Sequence, residues 1–165
     1  MLENVKWKLS NLKFVNIFEF QIWEMEDGEK NKWVARKQFQ DFYRNFPPRK
    51  ITSTDGDVFY DVGYMVGNAF YYVIYFFGSP EEAKGFSCTI SVTNKDGKKF
   101  TYTGKVHTFD ENKEDIMASE SCLKIGKDVV NRSLDLKNEL CVVFSIRDLE
   151  EEAKDDEESG VSDNE

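Results

Sequence analysis

The sequence predicts an all-β fold, an antiparallel sandwich of about eight strands, on three observations. The run Phe70-Tyr71-Tyr72-Val73-Ile74-Tyr75-Phe76-Phe77 is continuously aromatic and β-branched. It is too short to cross a bilayer and too rich in strand formers to favour a helix, so it reads as a strand buried on both faces. A second run, Phe86-Ser87-Cys88-Thr89-Ile90-Ser91-Val92, alternates, with Phe86, Cys88, Ile90 and Val92 on one face and the hydroxyl residues on the other. Thirdly, turn signals separate every such run, and no helix of useful length is expected.

Taken in order, Val5 to Leu9 alternates apolar and basic residues, and Phe14 to Met25 keeps up a strand pattern. Glu26 to Asn31 is a hairpin-like connection centred on Asp27-Gly28. Lys32 to Phe42 resumes with Trp33, Ala35 and Phe39, and Pro47-Pro48 ends that segment because neither proline can donate to a ladder. Arg49 to Asp57 reads as an exposed loop, Val58 to Val66 as a strand, and Gly67-Asn68 as the turn into the long apolar run. Gly78 to Gly85 forms an exposed corner. After the alternating strand, Asn94-Lys95-Asp96-Gly97-Lys98 supplies a hairpin tip and Lys99 to Thr103 the partner strand. Asp110 to Ala118 is polar and irregular, Asp128 to Asn131 is a turn of helix at most, and Leu140 to Ile146 is the last strand.

Residues 1–149 therefore form one domain, which suits a chain that is 40% hydrophobic and 15% aromatic. Residues 150–165 have too little apolar surface to offset the entropy of ordering, so a disordered acidic tail is expected. Ser162, followed by Asp163-Asn164-Glu165, resembles an acidophilic kinase site. The net charge of −9 opposes a nucleic-acid surface and an anionic membrane surface alike. Without an apolar run of about 20 residues, or an apolar core in Met1 to Lys6, the expectation is a cytoplasmic or nuclear protein.

Little chemistry can be assembled. Cys88, Cys122 and Cys141 each lie in or beside an apolar strand, where a reduced thiol acts as a small hydrophobe. His107 is the single histidine; it lacks a sequence-visible partner and reads as a surface or strand-edge residue. Asp55, Asp57 and Asp61 could be drawn as a calcium site, but the order of ligands in an EF-hand loop is missing and a solvated loop is the simpler reading. No cofactor, metal or enzymatic activity is expected.

The order Phe-Tyr-Tyr-Val-Ile-Tyr-Phe-Phe-Gly, a Ser/Pro/Glu/Ala corner, Phe86 opening an alternating strand, a charged hairpin, Ile-Met-Ala-Ser-Glu-Ser-Cys-Leu, and Leu-Cys-Val-Val-Phe-Ser-Ile resembles the C-terminal substrate-binding domain of the seven-in-absentia ubiquitin ligases, a TRAF-like β-sandwich. Trp7-Lys8-Leu9-Ser10-Asn11-Leu12 is similar to the opening strand of MATH and TRAF domains. The resemblance implies a protein-interaction module and a homodimer, with a role in ubiquitin-dependent degradation. It implies peptide ligands that add as a strand to a sheet edge near a Trp-Val pair. Here that pair is Trp33-Val34, followed by Ala35, so Trp33, Val34 and Ala35 are the expected peptide-binding residues. Three Cys and one His cannot build a RING or a zinc finger, so ligase activity implies a RING partner or other ubiquitin-pathway proteins. Two further readings stand beside this one: a MATH-type adaptor with no link to ubiquitin, and an acidic chaperone-like β-protein whose tail does the binding.

Overall fold

The computed structural model describes residues 22–24, 31–38 and 46–159, with side chains over 31–36 and 48–157. The stretch Val5 to Leu12, the turn at Asp27-Gly28, Phe39, Phe42 and Ser162 lie outside these residues.

Ten strands and four helices are present among the described residues. The strands are β1 (Ile22–Glu24), β2 (Lys32–Gln38), β3 (Phe46–Thr52), β4 (Val58–Val66), β5 (Ala69–Phe76), β6 (Phe86–Thr93), β7 (Lys99–Lys105), β8 (His107–Thr108), β9 (Leu123–Gly126) and β10 (Glu139–Asp148). The helices are α1 (Pro80–Ala83), α2 (Lys113–Ala118), α3 (Lys127–Ser133) and α4 (Leu149–Ser159). Sheet 1 has the order β1-β2-β10-β6-β7 and sheet 2 the order β3-β4-β5-β8, with β9 also on β5. Every pairing is antiparallel except the short β5–β8 contact. The expected antiparallel all-β sandwich is what the chain adopts.

The core between the sheets follows the alternation. β6 sends Cys88, Ile90 and Val92 inward, β10 sends Leu140, Val142, Phe144 and Ile146, and β5 sends Phe70, Tyr72, Ile74 and Phe76. Fully burying each such side chain is worth roughly 1.5–3 kcal/mol. β5 is apolar throughout because its other face is covered too. Val62, Tyr64, Val73, Tyr75, Ile116 and Cys122 form a second buried cluster on the outside of sheet 2, capped by α2 with Phe109 and Met117.

Local chemistry explains where the expectations need correction. β3 occupies part of the expected loop even though Pro47-Pro48 lack donors; it pairs with β4, and its register breaks between Phe46 and Arg49, where the prolines sit. The corner after Gly78 is α1, built on a capping box between Ser79 and Glu82 with Pro80 in the first turn. The stretch expected to be irregular contains α2, whose N-terminus is capped by Asn112 accepting from the backbone N–H groups of Glu114 and Asp115. α3 is seven residues long rather than a single turn.

The expected disordered tail at 150–165 is corrected over 150–159, since α4 (Leu149–Ser159) is helical. Asp148 accepts from the N–H groups of Glu150 (2.9 Å) and Glu151 (3.3 Å), and the Leu149 N–H bonds to the Gly85 carbonyl at 2.9 Å. Glu150, Glu151 and Glu152 in the first turn suit the positive end of the helix dipole.

Candidate functional site

Trp33, Val34 and Ala35 lie in β2, which is paired on both sides. β1 sits opposite them on one flank, through Glu24, Trp23 and Ile22, and β10 on the other, through Phe144, Val143 and Val142. Trp33 is 7% exposed and Ala35 fully buried. The Trp33 ring stacks on Phe144 with centroids 5.5 Å apart and planes 24° from parallel. Val34 faces the outside of sheet 1, half-buried. These three residues therefore present no free ladder edge, and a strand adding beside them would have to take the place of β1.

Strand addition needs a row of unpaired backbone groups, so length and regularity decide among the remaining edges. β1 spans three residues, β8 two and β9 four. β3 carries two prolines and a break in register. β7 is different: seven residues, in unbroken register with β6 from Thr93↔Lys99 to Ser87↔Lys105, without proline or bulge. Among the described residues no strand pairs with its other side.

The direction of its backbone groups follows from the hairpin. The Asn94 N–H donates to the Lys98 carbonyl at 2.9 Å, and antiparallel pairs alternate between bonded and non-bonded from there. Phe100, Tyr102 and Gly104 thus bond to β6, while Lys99, Thr101 and Thr103 aim their N–H and C=O groups outward; the Lys105 carbonyl accepts from the Tyr102 hydroxyl at 3.3 Å. The Thr89 and Thr103 hydroxyls are 3.1 Å apart, as expected where a non-bonded pair brings side chains close. The hairpin tip is held by Asn94, whose Oδ1 accepts from the N–H groups of Asp96 and Lys98, and by Gly97 at φ 82°. Phe100 and Tyr102 are half-buried at the rim of the core, and Thr101 and Thr103 face water.

Two buried polar networks brace sheet 2. Asp61, fully buried in β4, receives both Nε (3.1 Å) and Nη2 (2.5 Å) of Arg49 from β3, and the Tyr72 hydroxyl donates to it as well. Burial opposes the charge on Arg49, yet the adjoining Asp61 holds the guanidinium above its ordinary value; burial, then Asp61, pushes Tyr72 well up. Grouping Asp61 with Asp55 and Asp57 by sequence misses this, because its partner Arg49 lies in the expected loop. Asp55 instead approaches Asp148 and Glu151, their carboxylates within 4.8 Å of one another, and Asp57 is raised by burial, Asp148, Asp55 and Glu82.

His107 is on the edge strand β8 but is 1% exposed, not a surface residue. Its Nδ1 faces both Glu111 oxygens at 3.1 Å and its Nε2 the Ser121 carbonyl at 2.5 Å. Partial burial works to raise the Glu111 carboxyl, but the Thr108 N–H, His107 and Lys105 together hold it below its ordinary value. The i, i+4 spacing of His107 and Glu111 is the signal that the sequence offers for this pair. The thiols are ordinary filler: burial pushes Cys88 up to about 12, Cys122 up to about 11, and Cys141 upward, so none is a thiolate nucleophile near neutral pH.

The described residues form a two-sheet antiparallel β-sandwich with a long edge strand, β7, that pairs on one side only. Residues 63–148, 86 positions and just over half of the 165-residue chain, match the family described as Sina, TRAF-like domain. The chain belongs to this family, whose domain is a substrate-binding rather than a catalytic one. The match takes in β5 to β10 with the second half of β4, and leaves β2 with Trp33, Val34 and Ala35 outside it. No curated protein matches the chain.

Proposed function

We propose that this domain is a substrate receptor that captures an extended segment of a partner protein by adding it as a strand beside β7, and that it serves ubiquitin-dependent degradation as a homodimer in the cytoplasm or nucleus, with the RING supplied by a partner. The observation that carries the docking step is the outward row of backbone groups at Lys99, Thr101 and Thr103, on a strand long enough to offer several ladder bonds. The link to ubiquitin rests on the family alone. Trp33 supports the layer from within by stacking on Phe144.

Proline at an outward-facing position removes a docking donor without breaking the β6 ladder. The test is a crosslinking pull-down from cell lysate with the full chain as wild type, Thr101→Pro, Thr103→Pro and Trp33→Ala, after circular dichroism establishes folding. The expected result is capture of ubiquitin-pathway proteins by wild type and loss of capture by the folded proline variants. Undiminished capture by a folded Thr101→Pro chain would overturn the β7 reading. Capture of partners that never include a RING protein or a ubiquitin-conjugating enzyme would favour the MATH-type adaptor instead.

A further inference from the structure

We infer that the segment accepted at β7 has apolar residues at alternate positions and carboxylates at both flanks; this rests on β7 being the docking edge. Side chains of an added strand continue the two rows of the strand beside it. The inward row of β7 is Phe100, Tyr102 and Gly104, with both rings half-buried and so still offering apolar surface. Gly104 has no side chain because the Tyr102 ring occupies that place: a Cβ there would lie 2.5 Å from the Tyr102 oxygen. Apolar side chains on the incoming strand would cover this rim. The outward row is Thr101 and Thr103, exposed, so the residues between the apolar ones must suit water.

The flanks are basic. Lys98 and Lys99 stand at the first end of β7 with Lys95, whose backbone N–H bonds to the Arg132 carbonyl (3.0 Å) and ties that tip to the end of α3. Lys105 stands at the other end. Acids stand there too: Asp96 in the turn, Asp128 one turn before Arg132 on α3, and Glu111, which already receives Lys105, His107 and the Thr108 N–H. This basic character is local. Residues 150–165 hold nine of the chain's 31 acids and one of its 22 bases, a net −8 of the total −9, so the remainder of the chain is nearly neutral at −1. An acidic-flanked segment is therefore drawn to the two ends of β7, and the attraction weakens with salt.

The test uses three synthetic nine-residue peptides titrated into the full chain by fluorescence anisotropy. One has valine at alternate central positions, threonine between them and two glutamates at each end; the second replaces the glutamates by lysines; the third replaces the valines by serines. The glutamate peptide is expected to bind on the order of tenfold more tightly than the lysine peptide at low salt, as a few exposed charge pairs allow. That ratio should shrink toward one at high salt, and a Lys98→Glu/Lys99→Glu chain should lower it at low salt. The serine peptide should bind at least tenfold more weakly than its valine parent. Equal binding of the glutamate and lysine peptides, or no binding of the glutamate peptide at millimolar concentration, overturns the inference. Binding that survives in a folded Thr101→Pro chain sinks the β7 reading itself.

Discussion

Sheet 2 is buried on both faces over β4 and β5, whereas the outer face of sheet 1 is only partly covered: Ser87 and Ser91 are buried there, Thr89 and Ser145 half-buried, and Thr101 and Thr103 exposed. The difference is written in the side-chain period: β5 is apolar at every position and β6 at every second one. It also separates stability from binding. Sheet 2 is held by two buried polar networks, and its far edge is broken between β8 and β9. The sheet with the more open outer face is the one that keeps the long regular edge proposed for docking.

Substitutions in the two sheets should differ accordingly. Asp61→Ala leaves Arg49 and Tyr72 facing an uncompensated buried site and should cost about 3–5 kcal/mol. On the outer face of sheet 1, Thr89→Ala should stay within about 0.5 kcal/mol. Urea unfolding of both variants measures the contrast, and comparable losses would erase it. An intermediate effect is expected at the docking strand, where Gly104→Ala drives a Cβ to 2.5 Å from the Tyr102 oxygen and 2.9 Å from its ring carbon. Displacing that ring should cost about 1–3 kcal/mol in urea unfolding, and should weaken peptide capture in addition, since the displaced ring is part of the rim.

The smallest effect is a pH slope belonging to sheet 2. The folded Glu111 carboxyl lies below its ordinary 4.5, so it binds a proton less readily folded than unfolded. Its contribution is complete above the ordinary value and is lost as pH falls through the folded one. Glu111→Gln should flatten the acid-side loss of stability in thermal scans through that window. A variant with the same slope as wild type would show that the His107 network is not where acid acts.

Much of this is legible in the residues. The alternation in β6 and β10 determines which side chains enter the core, and Asn94 to Lys98 announces the hairpin that leads into β7. What stays hidden depends on contacts between distant positions. Arg49 is strand because Asp61, twelve residues on, gives its guanidinium a buried partner. Trp33 looks like an edge anchor because nothing local reveals that β1 flanks it on one side and β10 on the other. β9, at four residues, is too short for any period to stand out, and α4 looks disordered because its anchor is the Gly85 carbonyl on another element.

The place of β10 at the centre of sheet 1 has a kinetic side. Val142 pairs with Ala35, 107 residues earlier, and Val143 pairs with Ser91, 52 residues earlier. At a synthesis rate of about 5–20 residues per second, β2 waits roughly 5–20 s for its neighbour. Until β10 arrives, β2 and β6 each lack the neighbour that will cover their facing edges, and the contacts that join them are among the most distant in the chain, a topology that folds in about milliseconds to seconds even when complete. The nascent domain is thus most open to chaperones, and to wrong strand partners, while its middle strand is still to be made.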